Sequence, residues 1–125
     1  MIPQINTWLT STFNIKYPII MAPMFLVSNE KMVIAAADAG IMGCIPTLNY
    51  RTPEELKAGL TNIKNKTKGP FGVNLIVNKS NIHFENHLKI CQEIEPDFII
   101  TSLGSPEKTI KTFKQTKTKI FCDVV

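Results

Sequence analysis

Five short runs of nearly unbroken apolar residues recur along this 125-residue chain, at 18–23, 42–46, 71–77, 98–103 and 120–125, about 25 residues apart. A run apolar on both sides suits a strand buried on both faces, the kind found in parallel sheets. Parallel neighbours cannot be joined by tight turns and need crossovers of a dozen or more residues, usually helical. The intervals carry that signal. The order is therefore βαβαβαβαβ, with units the size of those in an eight-fold barrel. The predicted fold class is α/β with a parallel sheet: a partial (β/α)8 TIM barrel holding the first five strands and four helices, with residues 1–125 as one domain. A complete five-stranded, doubly wound sheet is the alternative. Such sheets usually finish with a helix over the last strand, whereas here the last apolar run is terminal.

The first run, Tyr17-Pro18-Ile19-Ile20-Met21-Ala22-Pro23-Met24, sets the pattern. Pro23 has no N–H to give a sheet ladder, so it marks the strand's end. The loop Phe25 to Ser28 is then displayed at the rim, where α/β folds bind ligands. Ser28 is the expected N-cap of a helix over 29–39, with Glu30 in its first turn and Gly40 as its left-handed stop. Thr52-Pro53-Glu54-Glu55 is a stronger start signal, with a capping Thr, Pro at the first helical position and Glu three residues after the cap. Leu56, Leu60 and Ile63 share one face of that helix, and Gly69-Pro70 breaks it. Phe84, Leu88, Cys91 and Ile94 define the third helix. Ser105-Pro106-Glu107 opens the fourth, with Ile110 and Phe113 inward. Ahead of the repeats, Trp8, Leu9 and Phe13 suit a lead-in helix closing one end of the sheet.

Charge and cysteine usage exclude several classes. The net charge of +4, from 14 Lys+Arg against 10 Asp+Glu, comes mostly from lysines scattered along helices. That distribution reads as a solvated surface and not as a nucleic-acid patch. Cys44, Cys91 and Cys122 are far apart and odd in number, which argues against a disulfide framework or a zinc site. Cys44 and Cys122, in apolar strands, are expected in the core. The N-terminus lacks the pattern of a signal peptide, and no apolar run approaches the length of a membrane span. The expectation is a cytoplasmic protein with no metal site. His83 and His87, four residues apart at a helix start, read as surface or packing residues.

No GxGxxG, P-loop, HExxH or GxSxG motif is present. The informative residues are then those at the carboxyl ends of the strands, where barrel active sites are built: Ala22-Pro23-Met24, Pro46-Thr47, Asn74, Ser102 to Gly104 and Asp123. One ordered set is specific. Pro18 to Met24, Ala39-Gly40 to Gly43, Thr52 to Leu56 and Pro70-Phe71-Gly72-Val73-Asn74-Leu75 together resemble the N-terminal half of the nitronate monooxygenase (2-nitropropane dioxygenase) family, along nearly all of residues 14–125. The end, Lys119 to Val125, is similar to that family's fifth strand.

The resemblance implies an FMN-dependent barrel oxidoreductase that oxidises alkyl nitronates with O2. It implies cofactor contacts from Ala22, Pro23 and Met24 against the flavin ring and from Asn74 at the end of strand three, with Asp123 at the same mouth. A flavin needs such an apolar wall plus a few orienting polar groups. The family's glycine-rich phosphate segments and its catalytic histidine lie beyond residue 125, so no catalytic residue is assigned within the chain. The expected consequence is weak or absent FMN binding and no turnover by the chain alone. Two other readings stay open: half of a flavin-dependent enoyl-acyl-carrier-protein reductase, which shares this N-terminal pattern, or a non-enzymatic half-barrel. In either case the open edges would call for a homodimer or the missing C-terminal half.

Overall fold

The computed structural model describes residues 4–124. Strands β1 (Ile20–Met21), β2 (Met42–Pro46), β3 (Phe71–Ile76), β4 (Phe98–Ser102) and β5 (Lys119–Cys122) form one sheet, in the order β1-β2-β3-β4-β5. Every neighbouring pair is parallel. Sequential order without reversal is the order of a barrel. A doubly wound sheet reverses direction at a switch point, so the open-sheet alternative is excluded. The five strands make a half-barrel.

Helices α1 (Trp8–Phe13), α2 (Glu30–Asp38), α3 (Pro53–Lys66), α4 (Phe84–Ile94) and α5 (Glu107–Phe113) complete the chain, with a 3₁₀ turn at Thr47–Asn49. Helix α3 starts where its signals place it. Thr52 accepts from the Glu55 N–H at 3.1 Å, and Glu55 in return accepts from the Arg51 N–H at 2.9 Å. Gly40 ends α2 at φ +85, and its carbonyl accepts from the N–H groups of Lys16 and Tyr17 at 2.8 and 3.2 Å. That contact ties the lead-in segment to the first crossover.

The two sheet faces carry two cores. On the outer face, Ile45, Phe71, Val73, Leu75 and Ile99 pack against Val33 of α2, Leu56, Leu60 and Ile63 of α3, Leu88, Cys91 and Ile94 of α4, and Phe113 of α5. On the inner face, Met42, Cys44 and Phe98 pack with Phe13 and Ile15, joined by Ile20, Ile100 and Phe121. Met42 and Phe98 are the first residues of their strands, so α1 closes the amino end of the lumen. The carboxyl end is left as a mouth.

Four local expectations are corrected. The first strand is two residues long and not 18–23. Pro18 and Pro23 cannot donate, and among the described residues β1 is an edge paired only with β2. The strand expected over 120–125 stops at Cys122, and Val125 lies outside the described residues. In α5 the buried residues are Thr109 and Phe113, while Ile110 is exposed. Cys122 is exposed, because β5 is the other edge. Trp8 is also exposed, although its ring meets Phe13 and Phe121 edge-on. No helix among the described residues is long and apolar enough to cross a membrane.

Candidate functional site

Strand pairing carries one face into the next. Pro46 pairs with Asn74, and Asn74 with Ile100. Gly72 pairs with Phe98 one pleat below, a residue of the inner core. Alternation along a strand therefore puts Asn74 on the lumen face, above the aromatic plug. It lies in the fourth position of six in β3, two residues short of the end where it was expected. Its Nδ2 donates to the Ile100 carbonyl at 3.0 Å and to Ser102 Oγ at 2.8 Å. A carbonyl only accepts, so the nitrogen must face Ile100 and the orientation of the amide is settled. Oδ1 takes no hydrogen bond among the described residues. Asn74 is half-buried, and its Oδ1 is an aimed acceptor.

The main chain of Asn74 is held as well. Its carbonyl accepts from Thr47 Oγ1 at 3.1 Å, and Thr47 is fully buried. Both neighbouring strands thus brace this residue.

The loop after β1 has its own bonding. Ser28 was expected to cap α2, but Asn29 does so, its Oδ1 accepting from the Met32 N–H at 3.0 Å. Ser28 is buried instead. Its Oγ donates to the Ala22 carbonyl at 2.8 Å and accepts from the Met24 N–H at 2.9 Å. Asn49, just past β2, accepts from the Leu26 N–H at 2.8 Å and donates to the Ser28 carbonyl at 2.7 Å. Leu26 adopts φ +58. Met24, Phe25, Leu26 and Val27 are all exposed.

Asp123 follows β5. Its N–H donates to the Thr101 carbonyl at 2.9 Å, and its carboxylate makes no ion pair among the described residues. Ala22, Pro23, Met24, Asn74 and Asp123 therefore share one rim, but not one point. With strands about 4.8 Å apart, β1 and β5 are separated by roughly 19 Å along the sheet. Asn74 sits midway.

The remaining titratable groups point away from chemistry at this mouth. Burial pushes the Cys44 thiol far up and the Cys91 thiol up to about 12, so neither forms a thiolate near neutral pH. Burial likewise raises Tyr50, whose hydroxyl donates to Glu30 Oε1 at 3.1 Å. His87 is buried on α4, outside the lumen, and stacks on His83 with ring centroids 5.6 Å apart. Burial, reinforced by His83, lowers its pKa to about 4. The described residues contain no group of three or more side chains able to hold a metal.

A flavin ring presents N–H and carbonyl groups along one edge and apolar faces. An unpartnered amide oxygen on the same rim as exposed apolar residues offers groups of the kind such a ring would need. Sequence reading found Asn74 because it is the lone amide in an apolar run. It gave Ser28 the cap role that Asn29 fills and passed over Asn49, since polar residues in loops carry no such contrast.

Comparison with known proteins places the chain in a family and a fold. A family model described as nitronate monooxygenase matches residues 6–122. A probable nitronate monooxygenase from Staphylococcus haemolyticus is 38% identical over 72 residues, which are 58% of this chain and 20% of that protein. A (3aS,4S,5R,7aS)-5-hydroxy-7a-methyl-1-oxo-octahydro-1H-indene-4-carboxyl-CoA dehydrogenase from Mycobacterium tuberculosis is 35% identical over 72 residues, with the same 58% and 20%. Among solved structures, FabK from Thermotoga maritima superposes with a TM-score of 0.87 at 27% identity, over 97% of this chain and 38% of its own. A nitroalkane oxidase from Streptomyces ansochromogenes, TM-score 0.77 at 18% identity, shares the fold over 91% of this chain and 41% of its own. The matched segment is thus about a fifth of the curated relatives and well under half of the solved structures.

Proposed function

This chain belongs to the nitronate monooxygenase family, and from that premise we propose that residues 1–125 form the ring-binding part of an FMN-dependent oxidoreductase barrel. The observation that carries the reading is the braced Asn74 amide, whose Oδ1 is unpartnered among the described residues on the lumen face. In this reading Asn74 accepts a hydrogen bond from the ring. Ala22, Pro23 and Met24 form an apolar wall that keeps water off one side, and Asp123 offers a second acceptor across the mouth. FMN, if held there, would supply the redox chemistry between a nitronate and O2. The proton-accepting histidine and the phosphate clamp are assigned to the family's segment beyond residue 125.

A second substrate class has an observation in its favour. Four consecutive apolar side chains, Met24 to Val27, and Leu103 at the end of β4 are exposed. An apolar or acyl-thioester substrate would cover such a surface, and one relative of comparable identity is named as a CoA-ester dehydrogenase.

The test is a fluorescence titration of flavin with the purified chain. If the chain holds the ring and not the phosphate, riboflavin and FMN bind weakly with equal affinity. Asn74→Leu then weakens both about tenfold, as expected for one lost hydrogen bond. Absence of any quenching by the wild-type chain at millimolar flavin rejects the ring site. Should flavin be retained, turnover of a nitronate against that of an acyl thioester separates the two substrate classes.

A further inference from the structure

We propose that Asn49 and Ser28 are positioning residues, which fix the loop after β1 relative to Asn74. The inference rests on reading the mouth as a flavin-ring site. What needs explaining is why the loop has a defined path at all. Met24, Phe25, Leu26 and Val27 are 40%, 61%, 72% and 55% exposed, so burial of their side chains does not hold them. Leu26 adopts the left-handed region, which a leucine takes only against a steric cost.

Backbone bonds from the Val27 and Ser28 N–H groups to the Met24 carbonyl, at 3.0 and 2.9 Å, close the turn itself. Four side-chain hydrogen bonds tie it to its flank and to the turn after β2. Ser28 Oγ bridges the Ala22 carbonyl and the Met24 N–H, and Asn49 bridges the Leu26 N–H and the Ser28 carbonyl. Each of these residues donates once and accepts once. Asn49 is itself anchored, because it ends the 3₁₀ turn that begins at Thr47, and Thr47 Oγ1 donates to the Asn74 carbonyl. One continuous set of bonds therefore runs from the backbone of Asn74, through the turn after β2, to the backbone of residues 22–28. It joins the two parts of the proposed ring site, the apolar wall and the aimed amide, and sets the spacing between them. The polar atoms are spent on holding the wall, which leaves the loop's apolar side chains free to meet a ligand.

This assignment separates positioning from general stability. Asn49 is half-exposed and contributes nothing to either core cluster, so its truncation frees the loop without opening the fold. The experiment compares the wild-type chain with Asn49→Ala and Asn49→Asp by amide hydrogen exchange, urea midpoint and riboflavin titration. In Asn49→Ala the Leu26 amide exchanges at least tenfold faster, the urea midpoint stays near the wild-type value, and riboflavin affinity falls five- to tenfold. Asn49→Asp keeps the acceptor for Leu26 and loses the donor to Ser28, so it falls between. Ser28 is fully buried, which makes Ser28→Ala the variant more prone to misfold, and the Asn49 pair carries the test. A drop in midpoint with Leu26 exchanging no faster than the core overturns the proposal, as does a freed loop with unchanged riboflavin affinity. No riboflavin binding by the wild-type chain rejects the ring site itself and the positioning role with it. Binding that Asn49→Ala leaves untouched rejects the positioning role alone.

Discussion

Gly72→Ala should destabilise the half-barrel through a single contact. A Cβ at position 72 would stand 2.4 Å from Phe98 Cε2 and 2.5 Å from its Cδ2 and Cζ. Non-bonded carbons rest at about 3.5–4.0 Å, so three ring atoms overlap the new methyl by about 1 Å or more. The ring has no room to retreat. Phe98 is fully buried, and the rings of Phe13 and Phe121 meet it edge-on, each with centroids 5.8 Å away. Overpacking of this kind costs about 1–3 kcal/mol. The entropy that alanine removes from the unfolded chain returns about 0.4–1 kcal/mol. With three atoms in conflict and no escape, the net loss should be about 2 kcal/mol, or roughly 8 °C in Tm for a chain of this size. Phe98→Leu removes the clashing ring and, by loss of buried volume, should cost about 1–3 kcal/mol alone. The double variant should then be more stable than the sum predicts by at least about 1 kcal/mol. Urea unfolding followed by near-UV circular dichroism gives all four values of the cycle. Additivity within about 0.5 kcal/mol would refute the reasoning, because it would mean that the glycine is not there to make room for the ring.

Three further outcomes are expected. His87 is held near pKa 4 by burial and by His83, against about 6.5 in an unfolded chain, so the folded state binds fewer protons between those values. Its neutral form prevails above about pH 6.5, and stability is lost as pH falls from there towards 4. The full shift corresponds to about 3 kcal/mol, of which about 1–2 kcal/mol should survive solvent relaxation at the helix start. His87→Gln should flatten the difference between urea midpoints at pH 7 and pH 4.5, and an unchanged slope would clear His87 of the effect. Thr52→Ala removes the cap of α3 and should cost about 1 kcal/mol in urea unfolding; a loss below about 0.3 kcal/mol would mean that Pro53 and Glu55 set the helix start by themselves. Asn74→Asp places a carboxylate oxygen against the Ile100 carbonyl, where only a donor fits. It should lose about 1–3 kcal/mol at neutral pH and recover part of that near pH 4, when the protonated acid can donate again; equal stability at both pH values would contradict the settled amide orientation.

What could be read from the sequence divides by the range of the interaction that encodes it. The start of α3 was legible because Thr52, Pro53 and Glu55 act on backbone within one turn of themselves. The strand β2 was legible to the residue because it is central and buried on both faces, so its whole length must be apolar. The edges were not. Tyr17 to Met24 is as apolar as β2, yet only two of its residues enter the sheet, since an edge strand has one partner and prolines at 18 and 23 limit what it can offer. Cys122 looked like core for the same reason and is exposed because no sixth strand lies beside β5 among the described residues. The candidate site splits the same way. Asn74 stood out because an amide inside an apolar strand must find partners, and its local contrast was the signal. Ser28 matched a local pattern, the helix cap, and its strongest bonds turned out to be to Ala22 and Met24 on the other side of the loop. Asn49 had no local pattern and reaches 21 and 23 residues back along the chain. The side chains proposed to meet a ligand were therefore singled out by local contrast and place along the chain alone. Those that hold the ligand-facing backbone in position emerge only once β1 and β2 are side by side, which is why the fold must be known before the positioning residues can be tested.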